Sequence, residues 1–254
     1  MHAAVSIGII GTTSAEVARE LAPRVERLGF SALWINDVPG GDSLDGLRAA
    51  ASVTDTLRLA TGVIPLDRRP ADTLDLRELP VARTTLGIGS GRAEHPVRLV
   101  SEGVRALRAS TTASIVVGAL GPRMRRLAAE HADGVLLNWL TPEAARAAAE
   151  EARAAASAAD ALRPRVVLYV RTIAEQQARP ALEQEITRYE SVPSYAANFE
   201  RLGIAAADAT VTDAAGLAAF DVVDELVLRA ITPSNSLAEL ERFVEETARW
   251  RFQA

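Results

Sequence analysis

The chain has 254 residues, 48% of them hydrophobic and 24% charged, with a net charge of −5 and a pI near 5.4. This acidic balance argues against a nucleic-acid partner and against binding to an anionic membrane surface, because both need clustered positive charge. Cysteine and lysine do not occur, so all 28 basic residues are arginines. Disulfides, thiolate chemistry, Schiff-base lysines and P-loop nucleotide sites are therefore excluded.

The histidine positions and the hydropathy of the chain exclude further kinds of protein. The three histidines, His2, His95 and His131, are far apart in the chain, which predicts that no histidine-based metal site exists. No stretch approaches the roughly 18 consecutive apolar residues of a membrane span. The first residues lead directly into an apolar run without a basic leader, so we expect a cytoplasmic protein.

Apolar runs and helical periodicity alternate along the chain. The runs predict strands at 5–10, 31–35, 57–64, 85–89, 115–117, 134–137, 165–172 and 225–231. Helices are predicted at 13–28, 44–54, 70–81, 96–108, 122–131 and 141–162, in a stretch ending near 202 with a break at 193, and after 236. Thr13 and Thr141 are the predicted N-caps of the first and sixth helices.

Eight strands that alternate with eight helices predict parallel pairing with right-handed crossovers. The length is typical of one (β/α)8 TIM barrel, so we expect residues 1–254 to form a single barrel domain. An open doubly wound sheet is the alternative, but such sheets seldom contain eight units of this kind.

A turn at 118–123 is the most specific local pattern. The apolar run 115–117 stops at Gly118, and Gly121 and Pro122 stand where a helix begins, with proline at the position whose N–H would have no partner. We expect the N–H groups of Leu120, Gly121 and Arg123 to point out of the helix start, which would make an anion site. An ordinary βα turn is the alternative.

The predicted strand ends are rich in glycine and poor in reactive side chains. In a barrel of this kind the working residues stand at the carboxyl ends of the strands, and four of the eight ends carry glycine, which lets backbone approach a flat ligand closely. No nucleophile–base pair or carboxylate dyad is readable at these ends. This pattern favours a cofactor that brings its own chemistry.

Several motifs together resemble the luciferase-like superfamily. Within it, the chain is most similar to oxidoreductases that use the deazaflavin coenzyme F420. The motifs are Phe30 to Trp34 with Asp37, Leu59 to Val63, Leu86 to Gly91, Gly118 to Pro122 and Ala132 to Asn138.

The resemblance implies a barrel with the deazaflavin ring across its mouth, acting on a small-molecule substrate. It implies that the turn at 118–122 holds the cofactor phosphate and that Gly62–Val63 forms a cis peptide behind the ring. A homodimer is one implied arrangement. The residues expected to contact the cofactor are Gly62, Val63, Gly89, Ser90, Gly118, Ala119, Leu120, Gly121, Pro122, Arg123, Asn138 and Trp139.

Two departures from the family pattern matter. The end of the second strand carries an acid, Asp37, which is the candidate catalytic residue, but Val38 stands where histidine is common. Asp37 could equally cap a turn beside Pro39, and Asn138 and Trp139 could be structural. Only a loop and one helix follow the fourth strand, where relatives insert a long excursion, and this predicts a shallow mouth.

Three functions remain open from the sequence. The favoured one is hydride transfer between F420 and a small organic molecule. The second is a monooxygenase that uses reduced FMN and oxygen, and the third is a barrel that binds a flavin-like molecule, or nothing, without turnover.

Overall fold

Residues 1–253, described in this computed structural model, contain one parallel sheet. Its strands are β1 (Ala4–Ile9), β2 (Ala32–Ile35), β3 (Arg58–Thr61), β4 (Ile64–Pro65), β5 (Thr84–Gly89), β6 (Ser114–Gly118), β7 (Gly134–Asn138), β8 (Arg165–Thr172), β9 (Thr210–Val211) and β10 (Glu225–Ala230). Strand β10 pairs with β8 on one side and with β1 on the other, which closes the eight longer strands into a barrel. The predicted (β/α)8 TIM-barrel fold is therefore confirmed.

Helices surround this barrel. They are α1 (Ala15–Arg27), α2 (Ser43–Ala51), α3 (Pro96–Ser110), α4 (Pro122–His131), α5 (Pro142–Ala158), α6 (Arg179–Glu190), α7 (Pro193–Leu202), α8 (Ala214–Ala219) and α9 (Leu237–Gln253). Within residues 1–253, none of them combines the length and the apolar character that crossing a membrane requires. The short connection 90–95 between β5 and α3 confirms that the excursion after the fourth barrel strand is reduced.

Two layers of apolar side chains follow from the alternation of strand residues. The larger layer lies between the strands and the helices. The smaller layer fills the barrel interior and contains Trp34, Val116, Leu136, Tyr169 and Val227. Trp34 and Tyr169 meet edge to face, with ring centroids 5.8 Å apart, so the interior is packed and is not a pore.

The segment between β3 and β5 departs from the helix predicted at 70–81. It contains two 3-10 turns, Ala71–Thr73 and Val81–Arg83, with irregular backbone between them. The Asp75 carboxylate accepts from the backbone N–H and the Nε of Arg77 at 3.1 and 2.8 Å. Such side-chain bonds to nearby backbone compete with a helix, and the helix prediction was wrong here.

Helix caps agree with the sequence to within a residue. Ser14, not Thr13, is the N-cap of α1, and its hydroxyl accepts from the N–H of Val17 at 3.2 Å. Thr141 caps α5 as predicted, because its hydroxyl accepts from the N–H of Ala144 at 3.3 Å.

The amino end of the barrel is closed by a buried carboxylate. Glu225 is fully buried, and its Oε1 accepts from the hydroxyl of Ser6 at 2.5 Å and from the indole of Trp34 at 2.8 Å. The guanidinium of Arg165 contacts Oε2, and that of Arg58 lies 3.9 Å from the same atom. Burial lowers the pKa of Arg165 to about 10. One acid and two arginines therefore hold this end together.

A helical pair covers the opposite end, the mouth. Helices α6 and α7, which separate at the predicted break near 193, follow β8 and form an aromatic cluster with Trp139. The expected shallow mouth is thus corrected, because the covering segment comes after the seventh barrel strand and not after the fourth.

Candidate functional site

Three glycine-bearing strand ends come together around Val63 at the mouth. The peptide bond between Gly62 and Val63 is cis, as the family resemblance implied. A β-carbon at Gly89 would lie 2.8 Å from one Val63 methyl group, and one at Gly118 would lie 3.2 Å from the other. Glycine at these positions therefore lets the half-buried Val63 side chain lie against two neighbouring strands. Ser90, also half-buried, extends this surface.

The turn between β6 and α4 carries free backbone donors. The N–H of Ala119 is used, because it donates to the carbonyl of Leu136 at 3.0 Å. Those of Leu120 and Gly121 donate to none of residues 1–253. A β-carbon at Gly121 would meet nothing within 4 Å, so the turn is open to solvent or ligand.

The start of α4 matches the sequence prediction. Pro122 is the first helical residue, and both Pro122 and Arg123 are exposed. The first turn of a helix concentrates unpaired N–H groups and the positive end of the helix dipole. The turn from Gly118 to Arg123 therefore has the chemistry of an anion site.

Arg125 stabilises this turn and was missed from the sequence. It is buried, and its Nη1 donates to the carbonyl of Leu120 at 2.9 Å. Its Nε and Nη2 donate to the Glu151 carboxylate at 3.1 and 2.5 Å. This arginine therefore ties the turn to helix α5. The sequence signal for Arg125 was its position four residues after Gly121, because this spacing places its side chain about one helical turn from the start of α4.

Both carboxylate oxygens of Asp37 have polar partners. Its Oδ2 accepts from the Ser43 hydroxyl at 2.9 Å and from the Arg69 guanidinium. Its Oδ1 lies 3.7 Å from the guanidinium of Arg68. The side chain is only 2% exposed, and it joins the end of β2 to α2 and to the loop after β4. This geometry corresponds to the structural alternative for Asp37.

Asn138 and Trp139 lie beneath the covering helices. Asn138 donates from Nδ2 to the Tyr195 hydroxyl at 2.8 Å. Trp139 has a positive φ of +55° and is fully buried against Tyr189 and Phe199, with ring centroids 5.1 and 6.2 Å apart. As placed, Trp139 packs against α6 and α7 and offers no exposed ring face. A platform role for it stays a prediction that requires these helices to move.

Two buried arginines at the mouth were also missed. Arg171 and Arg229 are in register on adjacent strands β8 and β10. Each follows an interior residue by two positions, Tyr169 and Val227 respectively, so both side chains belong to the inward face. That spacing shows that each arginine shares a strand face with the earlier residue, but it does not show by itself that this face is the interior. Burial, together with the charge of Arg171, lowers the pKa of Arg229 to about 10.

The Tyr169 hydroxyl lies between the interior core and the mouth. It is buried and has no hydrogen-bond partner among residues 1–253. A β-carbon at Gly62 would come within 2.2 Å of this oxygen. The unpaired hydroxyl therefore lies directly under the surface made by Gly62 and Val63.

Known proteins share both sequence and fold with this chain. The family described as luciferase-like monooxygenase matches residues 3–112 and 98–232. A 5,10-methylenetetrahydromethanopterin reductase of Methanolobus tindarius is 28% identical over 178 residues. That match covers 54% of this chain and 55% of the reductase, so it spans about half the length of each protein.

Two solved structures share the fold. One is the coenzyme F420-dependent tetrahydromethanopterin reductase of Methanopyrus kandleri, with a TM-score of 0.70, 15% identity and 98% of each chain covered. The other is the oxygenating constituent of 3,6-diketocamphane monooxygenase from Pseudomonas putida, in complex with FMN, with a TM-score of 0.69, 14% identity and 96% of each chain covered. At these identities the similarity shows the fold alone.

Proposed function

This chain belongs to the luciferase-like monooxygenase family, and from that premise we propose that it is an oxidoreductase that uses coenzyme F420. It transfers hydride between the deazaflavin and a small organic molecule. The single observation that carries the proposal is the surface around Val63, which adjoins an open turn with free N–H groups at Leu120 and Gly121.

The residues at the mouth fit a flat, phosphorylated cofactor. Glycines at 62, 89 and 118 keep side-chain bulk away from the surface around Val63, as a planar ring requires. The turn from Leu120 to Arg123 would hold the phosphate through backbone N–H groups and the positive end of α4. Both features belong to neighbouring strand ends, so one ligand can use both.

The chemistry would come from the cofactor, which supplies a hydride donor or acceptor at its ring when bound. The protein's part is to bind, orient and exclude water. Gly62, Val63, Gly89 and Ser90 would lie beneath the ring. The aromatic cluster on α6 and α7 would separate the reacting groups from solvent, which strengthens electrostatic contacts inside the site.

A reduced-FMN monooxygenase is the second candidate, favoured by the FMN complex of the P. putida relative and by the family description. A phosphate at the α4 turn serves either cofactor. The exposed Arg123 would pair with either phosphate as well, so the two functions must be separated by measurement.

Titration of the purified protein with oxidised F420 and, separately, with FMN tests the proposal through quenching of cofactor fluorescence. We expect micromolar binding of F420 and at least tenfold weaker binding of FMN. The reverse order would replace the proposal with the FMN function. A lack of response to both cofactors would overturn both enzymatic functions and favour the non-catalytic barrel.

A further inference from the structure

We propose that Arg171 and Arg229 form a binding site for the carboxylate of a small organic anion at the barrel mouth. The site would select negatively charged substrates for the proposed reaction, and in that respect it rests on the proposed function. The binding of the carboxylate itself does not depend on F420 or FMN.

Register and burial bring the two arginines together. They are Cα partners on β8 and β10, and they form the layer directly above Tyr169 and Val227 in the interior. Arg171 is 2% exposed and Arg229 is 4% exposed. Two like charges this deeply buried repel each other and lose most of their hydration, which is costly unless a negative group joins them.

Side-chain amides orient both guanidinium groups. The Nε of Arg229 donates to Oδ1 of Asn36 at 2.9 Å, and the Nδ2 of Asn36 donates to the carbonyl of Gly62 at 2.6 Å. The Nη1 of Arg171 donates to Oδ1 of Asn138, whose Nδ2 donates to Tyr195. Each amide is therefore held with its oxygen toward an arginine, so the two cations are positioned by neutral groups.

Several donors remain free. The Nε of Arg171 is buried without a partner among residues 1–253. Arg229 uses Nε and Nη1, the latter on the carbonyl of Ala230, while its Nη2 donates to none of those residues. The hydroxyl of Tyr169 is unpartnered as well. A carboxylate has two acceptor oxygens and about four lone pairs, which matches this set of donors.

No acid of the described chain neutralises the pair. Among residues 1–253, neither Arg171 nor Arg229 has a carboxylate within ion-pairing distance. Glu185 on α6 is the acid whose charge reaches Arg229, but its carboxylate is paired with Arg188. The missing negative charge is the feature that a ligand would supply.

Aromatic rings lie against Arg171 on the side of the covering helices. The guanidinium carbon of Arg171 lies 4.4 Å from the ring centroid of Trp139 and 4.6 Å from that of Tyr189. Tyr195 packs edge to face on Tyr189, with centroids 4.8 Å apart. A carboxylate carried on an apolar or aromatic body suits these surroundings better than a small hydrated ion. Because both arginines are buried, a ligand reaches them only when α6 and α7 move away.

Calorimetric titration of the cofactor-free protein with benzoate, and with the neutral, similarly shaped benzamide, tests the site. We expect benzoate to bind at least tenfold more tightly than benzamide and to raise the melting temperature. Equal binding of the two compounds, or binding of neither, would overturn the proposal.

Variants assign the binding to the arginines. Arg171→Met and Arg229→Met should each weaken benzoate binding at least tenfold and leave benzamide unchanged. Arg163→Met is the matched control, because Arg163 is exposed and pairs with Asp224 at the other end of the barrel. Unchanged benzoate affinity in both Met variants would overturn the assignment.

Folding of the variants is checked by circular dichroism. Should a Met variant fail to fold, Arg171→Lys decides, because it keeps the charge but loses the fork geometry and should bind benzoate severalfold more weakly. Full benzoate affinity in that Lys variant would contradict the proposal. Since no cofactor is present, failure of the F420 titration and failure of the carboxylate site give different results.

Discussion

Tyr169 lies directly beneath Gly62, so that a β-carbon at Gly62 would come within 2.2 Å of the hydroxyl oxygen and 2.6 Å of the ring carbon bearing it. We expect Gly62→Ala to push the tyrosine ring out of place, to destabilise the protein by about 1–3 kcal/mol and to weaken cofactor binding. Urea unfolding and cofactor titration measure both effects. Gly121→Ala is the control for the stability measurement, because a β-carbon there meets open space. Equal stability of the two variants would contradict this packing.

Removal of the Tyr169 hydroxyl should hardly change the stability of the protein. The group is buried without a partner among residues 1–253, and burial raises its pKa above the ordinary value. We expect Tyr169→Phe to leave stability unchanged or to raise it by up to about 1 kcal/mol.

Tyr195→Phe is the matched comparison, because it removes a 2.8 Å bond to Asn138 and should cost about 1 kcal/mol. Burial, with a contribution from Tyr189, raises the pKa of Tyr195 to about 12, so its hydroxyl stays protonated at neutral pH. An equal loss of stability in both phenylalanine variants would argue for a missed partner of Tyr169.

Asp37→Asn should act on stability. Its carboxylate contacts Ser43, Arg68 and Arg69, so neutralising it leaves Arg68 without this acid and Arg69 with only the more exposed Asp42. We expect a loss of about 2 kcal/mol in urea unfolding, with turnover kept once the protein is folded. Asp75→Asn, at an exposed ion pair, should have little effect, because asparagine keeps an oxygen that accepts from the N–H of Arg77. A stable but inactive Asp37→Asn enzyme would restore the catalytic role.

Gly121→Asp should weaken cofactor binding without destabilising the barrel. The new side chain enters open space, but its charge lies at the positive end of α4, where it competes with the phosphate. We expect a three- to thirtyfold rise in Kd, which corresponds to about 0.6–2 kcal/mol. Gly121→Asn is the neutral control of the same size. If both variants bind the cofactor like the native protein, the phosphate is held elsewhere.

Glu26 gives a pH-dependent contribution to stability. Burial acts against its charged form, but bonds from Thr56, Leu57 and Asp55 outweigh it and hold the pKa of Glu26 below the ordinary 4.5. Its contribution is therefore complete above pH 4.5 and is lost as the pH falls through the lower folded value.

We expect Glu26→Gln to lower the melting temperature at pH 7 and to have progressively less effect as the pH falls below 4.5. Glu20→Gln, at an exposed position on the same helix, serves as the comparison. It should change neither the melting temperature at pH 7 nor the dependence of the melting temperature on pH. A melting-temperature deficit in Glu26→Gln that is constant across this pH range would contradict the linkage.

Sequence periodicity was sufficient to predict the barrel and the turn before α4. Apolar runs bounded by glycine mark the strands, and Gly121 followed by Pro122 marks a helix start whatever packs around it. The helix predicted at 70–81 failed because side-chain bonds from Asp75 to nearby backbone outweigh helical periodicity there. Periodicity therefore predicts an element where no nearby side chain offers the backbone a competing hydrogen bond.

The partners of charged side chains were harder to predict. Strands of a parallel barrel are apolar on both faces, so the run 165–172 does not show by itself that Arg171 points inward. The pairing of Asp37 with Arg68 and Arg69 depends on a loop that approaches it only in three dimensions. Both facts depend on register and on loop paths, which a single sequence does not contain.

Buried charge is arranged differently at the two ends of the barrel interior. At the amino end Glu225 lies against Arg165 and Arg58, whereas Arg171 and Arg229 at the mouth have no carboxylate within ion-pairing distance among residues 1–253. In the proposed site a carboxylate would gain two cationic partners that a neutral molecule of the same shape would not. We therefore expect charge, and not shape alone, to decide which small molecules this mouth retains.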